Sequence, residues 1–518
     1  MIRPIDSYDL ASLEGFTSEL VAAGLEPVSG TARHMWAGPI HPSFSPLTQA
    51  TTMRIWIRDG WPYVFPVLFV DGIHANHLTE GGYVCLWEEG DGSQEWMTLG
   101  GFFNRIEQWT NDAEHGWDAR GLARDAYLNF TEKDPAVATF DLDALGLGVP
   151  GGWGRFHGEV RHRTHVQLKA GPRTTSGHLE GRWLRLRAID MPPRNNNEML
   201  DLLNRQQARS LIRDLEKRRD AGLLVPSGSV DLVFLCWDRD DDRHLLVFAV
   251  GGSGETLTLK ALQPGPNDLA SLVLRAGPDA AALQSKTVAV FGVGALGSHT
   301  ALTLAEGGVG RIVLIDRDQI LPGNVVRHVA GHHAVGMPKV DAVAAMIADH
   351  APWTEVGRVA ENPNTPTRIA ELAVGVDLMI DTTGSEAATR ALVASATAST
   401  RPLVSGALYR GGAIARVQRQ ATSSDVNINA RRSAQGYALI PPGANDEDMV
   451  EPAVGCSASV NNAPPSSVIS CAALIAQVAV DALTGAFSHS DEVIDIYRSL
   501  FGEPPFDRTG RLSALGDA

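Results

Sequence analysis

The sequence predicts an α/β protein whose C-terminal part is a doubly wound, Rossmann-like sheet, preceded by an N-terminal α+β domain and a connector domain. Three observations lead there. Over residues 280–518 apolar strands alternate with helical segments, and a glycine-rich turn joins the first strand to the first helix. Residues 1–150 are rich in tryptophan and mix short strands with helices. At 518 residues the chain is too long for one hydrophobic core, so two or three domains are expected.

Composition narrows the class. With 44% hydrophobic and 20% charged residues the chain reads as globular. The opening MIRPIDSYDL lacks the apolar centre of a signal peptide, so a cytoplasmic protein is expected. The stretch from Val468 to Leu483 is broken by Gln477 and Asp481, which predicts a buried helix and no membrane partner. A net charge of -16 with scattered basic runs excludes a large nucleic-acid footprint. The four cysteines, Cys85, Cys236, Cys456 and Cys471, form no C-x-x-C pair. A zinc site of four thiolates is therefore not expected, and the thiols should be reduced.

Residues 1–150 contain MRIWIRDGWPYVFPVLFVDG, which reads as strands joined by a Gly-Trp-Pro turn, and a helix near GGFFNRIEQWTNDA. The turn-rich LGLGVPGGWG is the expected boundary. Residues 151–279 form the connector. MLDLLNRQQARSLIRDLEKRRDAG has helical spacing and a glycine stop, and VDLVFLCWDRDDDRHLLVFAV predicts two strands around an acidic turn. Cys236 lies in the first of these strands and is expected in the core.

Residues 280–518 carry the strongest motif. KTVAVFGVGALGSHTALTLAEGGVGRIVLIDRD reads as strand, glycine turn, helix and strand. Gly292, Gly294 and Gly297 let the backbone approach a phosphate, and the helix N-terminus supplies N–H donors. Asp316 ends the next strand, where a carboxylate holds ribose hydroxyls. That much serves NAD and ATP alike. Asn324, Arg327 and Lys339 follow, and their polar and cationic groups suit the charge of a triphosphate. Asp381 ends the strand VDLMID, placed either to hold magnesium or to cap the helix after it.

On GVGALG, Asp316, Asn324 with Arg327, Lys339 and Asp381, the segment from Lys286 to about Leu483 resembles the ubiquitin-activating enzymes and their bacterial sulfur-carrier relatives, the ThiF-type adenylation domains. The resemblance implies that the glycine loop and Asp316 bind ATP, that Arg327 and Lys339 contact phosphates, and that Asp381 holds Mg2+. His328 stands where the family usually has Gln, and the family's two C-x-x-C zinc pairs are missing, which weighs against the sulfur-carrier branch. Cys456 lies in EPAVGCSASVNNAPPSS, a loop of exposed composition that resembles the cysteine loop of bacterial activating proteins. Cys471 falls in the apolar helix beyond and is expected in the core.

A second resemblance lies in HANHLTEGGYVCLWEEGDGSQEW. Prolines in a strand pair, then His74 and Asn76, then Cys85 and Trp96, follow the order of the ubiquitin-conjugating enzymes, with Ala75 in place of a proline. It covers roughly residues 15–130. The fusion resembles bacterial proteins that carry both activities, several of which accompany antiphage cyclic-nucleotide synthases. The implied reaction activates the C-terminus of a small carrier, ubiquitin-like or a cyclic-nucleotide synthase, as an acyl-adenylate. The acyl group would pass to Cys456, then to Cys85, then to an amine on a target, with Asn76 and His74 at the second thiol. A homodimer is expected. The alternative is a sulfur-carrier adenylyltransferase for cofactor synthesis.

Overall fold

The computed structural model describes residues 4–30, 34–73, 78, 83–87, 92–115, 125–187, 189, 192–239, 242–433, 449–450 and 460–513. The chain divides into two units, Met1–Asp268 and Leu269–Ala518.

The first unit begins with α1 (Leu10–Ala22). Asp9 caps it by accepting from the Ser12 N–H, and Leu13, Phe16 and Leu20 form its buried stripe. An antiparallel meander follows, with β1 (Glu26–Pro27), β2 (Met35–Pro39), β3 (Thr52–Trp56) and β4 (Val67–Val70) in that order. β3 and β4 are the strands expected on either side of the Gly-Trp-Pro turn. The expected helix is α2 (Leu99–His115). Tryptophans fill this core. The Trp61 indole N–H donates to Ser12 Oγ at 3.2 Å and that of Trp96 to the Pro62 carbonyl at 2.8 Å, so both rings are buried without an unpaired donor.

The rest of the first unit is a closed barrel. Its strands are β5 (Lys133–Phe140), β6 (Trp153–His162), β7 (His165–Ala170), β8 (Leu179–Arg185), β9 (Val230–Arg239), β10 (Asp242–Gly251) and β11 (Thr258–Pro266). Around the barrel they run β10-β11-β5-β7-β6-β8-β9, and closure leaves no edge. Thus the first barrel strand precedes the turn segment at which the domains were expected to part. Two short helices, α3 (Asp125–Asn129) and α4 (Leu142–Leu145), flank β5 in sequence. The predicted long helix is two, α5 (Asn196–Arg205) and α6 (Arg209–Glu216), because Gln207 takes a left-handed φ of 57° between them.

β9 is buried on both faces, which explains its unbroken apolar run. Leu232, Phe234 and Cys236 belong to the core inside the barrel, whereas Val233, Leu235 and Trp237 pack with the helices outside it. Burial pushes the Cys236 thiol up to about 12, in keeping with its expected core role. One end of the barrel is tied by an ion pair whose side chains are both fully buried, Arg218 and Asp231, 3.6 Å apart. Arg218 donates to the carbonyls of Val230 and Val250. Asp231 accepts from the Ser227 N–H and hydroxyl and from the Glu180 N–H.

The second unit opens with two short helices, α7 (Leu269–Leu272) and α8 (Ala280–Leu283). Then come β12 (Thr287–Phe291), α9 (Ala295–Glu306), β13 (Arg311–Ile315), α10 (Lys339–His350), β14 (Glu355–Val359), α11 (Pro366–Leu372), β15 (Leu378–Asp381), α12 (Glu386–Ser399) and β16 (Leu403–Tyr409). These five strands are parallel, in the order β14-β13-β12-β15-β16. That is the doubly wound arrangement expected. β17 (Ile414–Gln420) continues the sheet antiparallel, β18 (Met449–Val450) and β19 (Val460–Asn461) pair with each other, and α13 (Pro465–Thr484) returns across one face. β20 (Glu492–Ile496) and β21 (Gly510–Ser513) complete the sheet, again antiparallel.

Both faces of the parallel sheet are covered. Val288 and Val290 pack with residues of α9 and α13, and Ala289 and Phe291 pack with residues of α11 and α12. By length and composition α13 is able to cross a membrane, but here Val468, Cys471, Leu474, Ile475 and Val478 lie in the core. Cys471 is the core residue expected, its thiol pushed up to about 12 by burial.

Removing the Asp231 carboxylate would strand a buried guanidinium. Asp231→Ala is expected to destabilise the first unit by about 3–5 kcal/mol. Urea unfolding followed by tryptophan fluorescence measures this, and a loss under about 1 kcal/mol would show that the pair does not hold the barrel.

Candidate functional site

The parallel order reverses between β12 and β15, each of which pairs with the other and with one further strand on its own side. A crevice outside the C-terminal ends of such strands is where this class of sheet binds ligands. A cavity of about 340 Å³ lies there, bordered by Gly292, Gly294, Asp316, Asp318, Lys339 and Thr383 among others.

Each motif glycine has its own reason. Gly292 has φ +86°, and a Cβ there would stand 2.7 Å from Thr383 Cα. A Cβ on Gly297 would meet the Gly292 carbonyl oxygen at 1.9 Å, so only glycine lets α9 approach the loop. Gly294 differs: its Cβ would meet nothing within 4 Å, and the open space is the cavity. Gly294 is also the N-cap of α9 and offers no side chain to its first turn.

Asp316 is buried beneath the loop. Its Oδ2 accepts from the Val293 N–H at 2.8 Å and its Oδ1 from the Asp318 N–H at 2.8 Å. Lys339 starts α10. Its ammonium lies 2.9 Å from Asp318 Oδ2 and 3.9 Å from Asp316 Oδ2, and its side chain is 12% exposed. The fold therefore gathers Gly292, Gly294, Asp316 and Lys339 around one cavity, with Gly297 packed behind the loop.

The remaining expected residues stand elsewhere. Asn324 and Arg327 lie on the crossover between β13 and α10, and neither borders the cavity. Asn324 Oδ1 accepts from the Leu321 N–H, and the Arg327 guanidinium donates to the Asn461 carbonyl. Asp381, expected to present a carboxylate to magnesium, does not border the cavity. It is buried, with Oδ1 accepting from the Thr383 N–H and hydroxyl and Oδ2 from the hydroxyls of Thr389, at 2.5 Å, and Ser405, at 2.9 Å. Nor does it cap α12, whose N-cap is Ser385. Its carboxylate braces the Thr382–Thr383 turn that borders the cavity.

Three groups at the cavity were not anticipated from the sequence: Asp318, Asn362 and the hydroxyl run Thr382, Thr383, Ser385. The signal for the last was present as hydroxyl residues directly after the strand VDLMID. His74, Asn76 and Cys456 lie outside the described residues. Cys85 is half-buried, one residue beyond Val84, which bridges to Leu68 of β4, and its thiol faces the Trp87 carbonyl at 3.7 Å.

Residues 270–495 match the model of the ThiF family. The matched region spans the second unit from α7 to β20 and includes the whole cavity. Among curated proteins, the chain is 32% identical over 208 residues to an uncharacterised protein, y4oA, of Sinorhizobium fredii, covering 37% of this chain and 35% of that one. It is 34% identical over 133 residues to the molybdopterin-synthase adenylyltransferase of Escherichia coli, covering 25% of this chain and 52% of that one. It is 31% identical over 120 residues to the ATP-dependent ubiquitin transferase-like protein Cap2 of Pseudomonas aeruginosa, covering 22% and 21%. The matches span about half or less of the length of each of these relatives.

The glycines separate packing from binding. Gly297→Ala is expected to lower the melting temperature of the chain by several degrees, through its clash with the Gly292 carbonyl. Gly294→Ala should lose much less, about 0.5–1 kcal/mol, since its Cβ enters open space and only the N-cap preference for glycine over alanine is forfeited. Differential scanning calorimetry of the two variants checks the contrast, and an equal loss in both would refute the assignment of Gly294 to the cavity.

Proposed function

We propose that the second unit uses ATP to activate the C-terminal carboxylate of a small protein as an acyl-adenylate. The observation that carries this reading is the cationic Lys339 beside Asp316 and Asp318 at the mouth of a glycine loop and helix N-terminus. That arrangement suits a polyphosphate. The names of the Escherichia coli and Pseudomonas aeruginosa relatives support it. In the proposed reaction a carrier carboxylate oxygen attacks the α-phosphorus, the bond to the β-phosphate oxygen breaks, and pyrophosphate leaves with the charge. Asp316 positions the loop, and Lys339 offsets the charge that builds on the leaving group.

Magnesium fits the carboxylates facing the cavity. Asp318 would hold it, since its side chain is 55% exposed, and the ion would neutralise phosphate charge. Asp381 acts through the turn it braces.

The relay beyond the adenylate belongs to the same proposal. Cys456 takes the acyl group as a thioester and releases AMP, and Cys85 takes it from Cys456 by thiol exchange. A target amine then attacks, with Asn76 donating to the oxyanion and His74 beside it. The order of α1, the four-stranded meander, Cys85 and α2 supports a conjugating role for the first unit. We further propose a cytoplasmic homodimer, and antiphage defence with a cyclic-nucleotide synthase as the activated protein. Sulfur-carrier adenylation is the second reading, favoured by the likeness to the molybdopterin-synthase enzyme. It uses the same cavity and leaves Cys85 without a role.

The test is pyrophosphate release from ATP in the presence of candidate carriers. Lys339→Ala is expected to slow release ~100-fold at saturating ATP. Release at the wild-type rate would remove the lysine from the reaction.

The relay is tested on a non-reducing gel with ATP and the carrier that supports release. Cys85→Ala should hold the carrier on Cys456, and Cys456→Ala should leave Cys85 unloaded. A Cys85 thioester formed without Cys456 would sink the relay. A carrier never found on Cys85 in the wild type would favour the sulfur-carrier reading.

A further inference from the structure

His328 is a buried histidine behind the glycine loop, on the crossover between β13 and α10. It does not border the cavity. Both ring nitrogens are engaged. Nδ1 accepts from the Ala330 N–H at 3.1 Å, which leaves the proton on Nε2, and Nε2 stands 3.0 Å from the Val293 carbonyl oxygen and donates to it. Burial, the largest cause, lowers the ring to about 4, so the neutral tautomer persists at neutral pH.

Val293 is therefore held at both ends. Its N–H is held by Asp316 and its carbonyl by His328. A trans peptide sets the carbonyl and the next N–H on opposite sides. With the Val293 carbonyl drawn back to His328, the Gly294 N–H is turned away from His328, and Gly294 itself borders the cavity. We propose that His328 is a positioning residue that fixes this peptide plane, so that the Gly294 N–H is preset as a donor to a nucleotide phosphate. The inference rests on the nucleotide reading of the cavity.

Without the ring, the peptide loses its reason to hold that orientation, and phosphate must pay to turn it. The defect should fall on the phosphates and spare the nucleoside. The experiment is calorimetric titration of the full chain with ATP and, separately, with adenosine. His328→Leu removes the donor at similar volume. It should weaken ATP by ~10–100-fold, the worth of one hydrogen bond to a charged group, and leave adenosine unchanged. His328→Gln keeps an amide N–H within reach of the Val293 carbonyl and should restore ATP to within ~3-fold. Should the leucine variant not fold, His328→Asn, whose amide stops short of Val293, should show the same split.

Wild-type affinity for ATP in a folded leucine or asparagine variant would overturn the proposal. So would an equal loss of ATP and adenosine, or a glutamine variant no better than leucine. A wild-type chain that binds no ATP would instead bring down the nucleotide reading on which the proposal stands.

Discussion

The Asp316 carboxylate is the constraint on which the C-terminal site depends. One oxygen holds the glycine loop through Val293, and the other holds the start of the next segment through Asp318. Lys339 approaches the same carboxylate, so the loop, the strand end of β13 and the head of α10 meet at one buried charge. A buried carboxylate is tolerable only when hydrogen bonded and charge-compensated, and here both conditions are met by the groups that frame the cavity. Stability and site geometry are thus the same set of contacts.

Asp381 and His328 extend this logic one layer back. Neither borders the cavity, yet each sets the direction of backbone that does. Asp381 fixes the turn at Thr382 and Thr383, and the Thr382 hydroxyl in turn donates to the Gly292 carbonyl at 2.7 Å. His328 fixes the far side of the same loop. The glycine turn is gripped from β15 and from the crossover at once. A flexible sequence such as GVGALG holds one shape because polar side chains outside it use up its carbonyls.

Much of the C-terminal fold was legible because it is local. Strand periodicity, the glycine turn and the helix after it are properties of neighbouring residues, and β12, α9, β13, β15 and β16 all stand where the sequence predicts them. Cys236 and Cys471 were legible as core from their apolar surroundings. The buried setting of Asp381 was not legible because its partners, Thr389 and Ser405, lie on α12 and β16 and meet it only in the folded sheet. The barrel was missed for the same reason. The hairpin of β9 and β10 shows in the sequence, but closure depends on β5 pairing in parallel with both β11 and β7, and no turn signal marks a parallel neighbour.

Barrel closure also sets a timetable for synthesis. β5 is the first barrel strand to leave the ribosome and β11 the last, and they lie side by side. Until Pro266 has emerged, β5 lacks one of its two neighbours, and the hydrophobic interior formed by Phe140, Phe156 and Phe234 has an open seam. Such long-range pairing is slow and leaves strand edges exposed while it waits. The nascent chain is then most prone to mispairing and chaperone capture in the interval between the first barrel strand and the seventh.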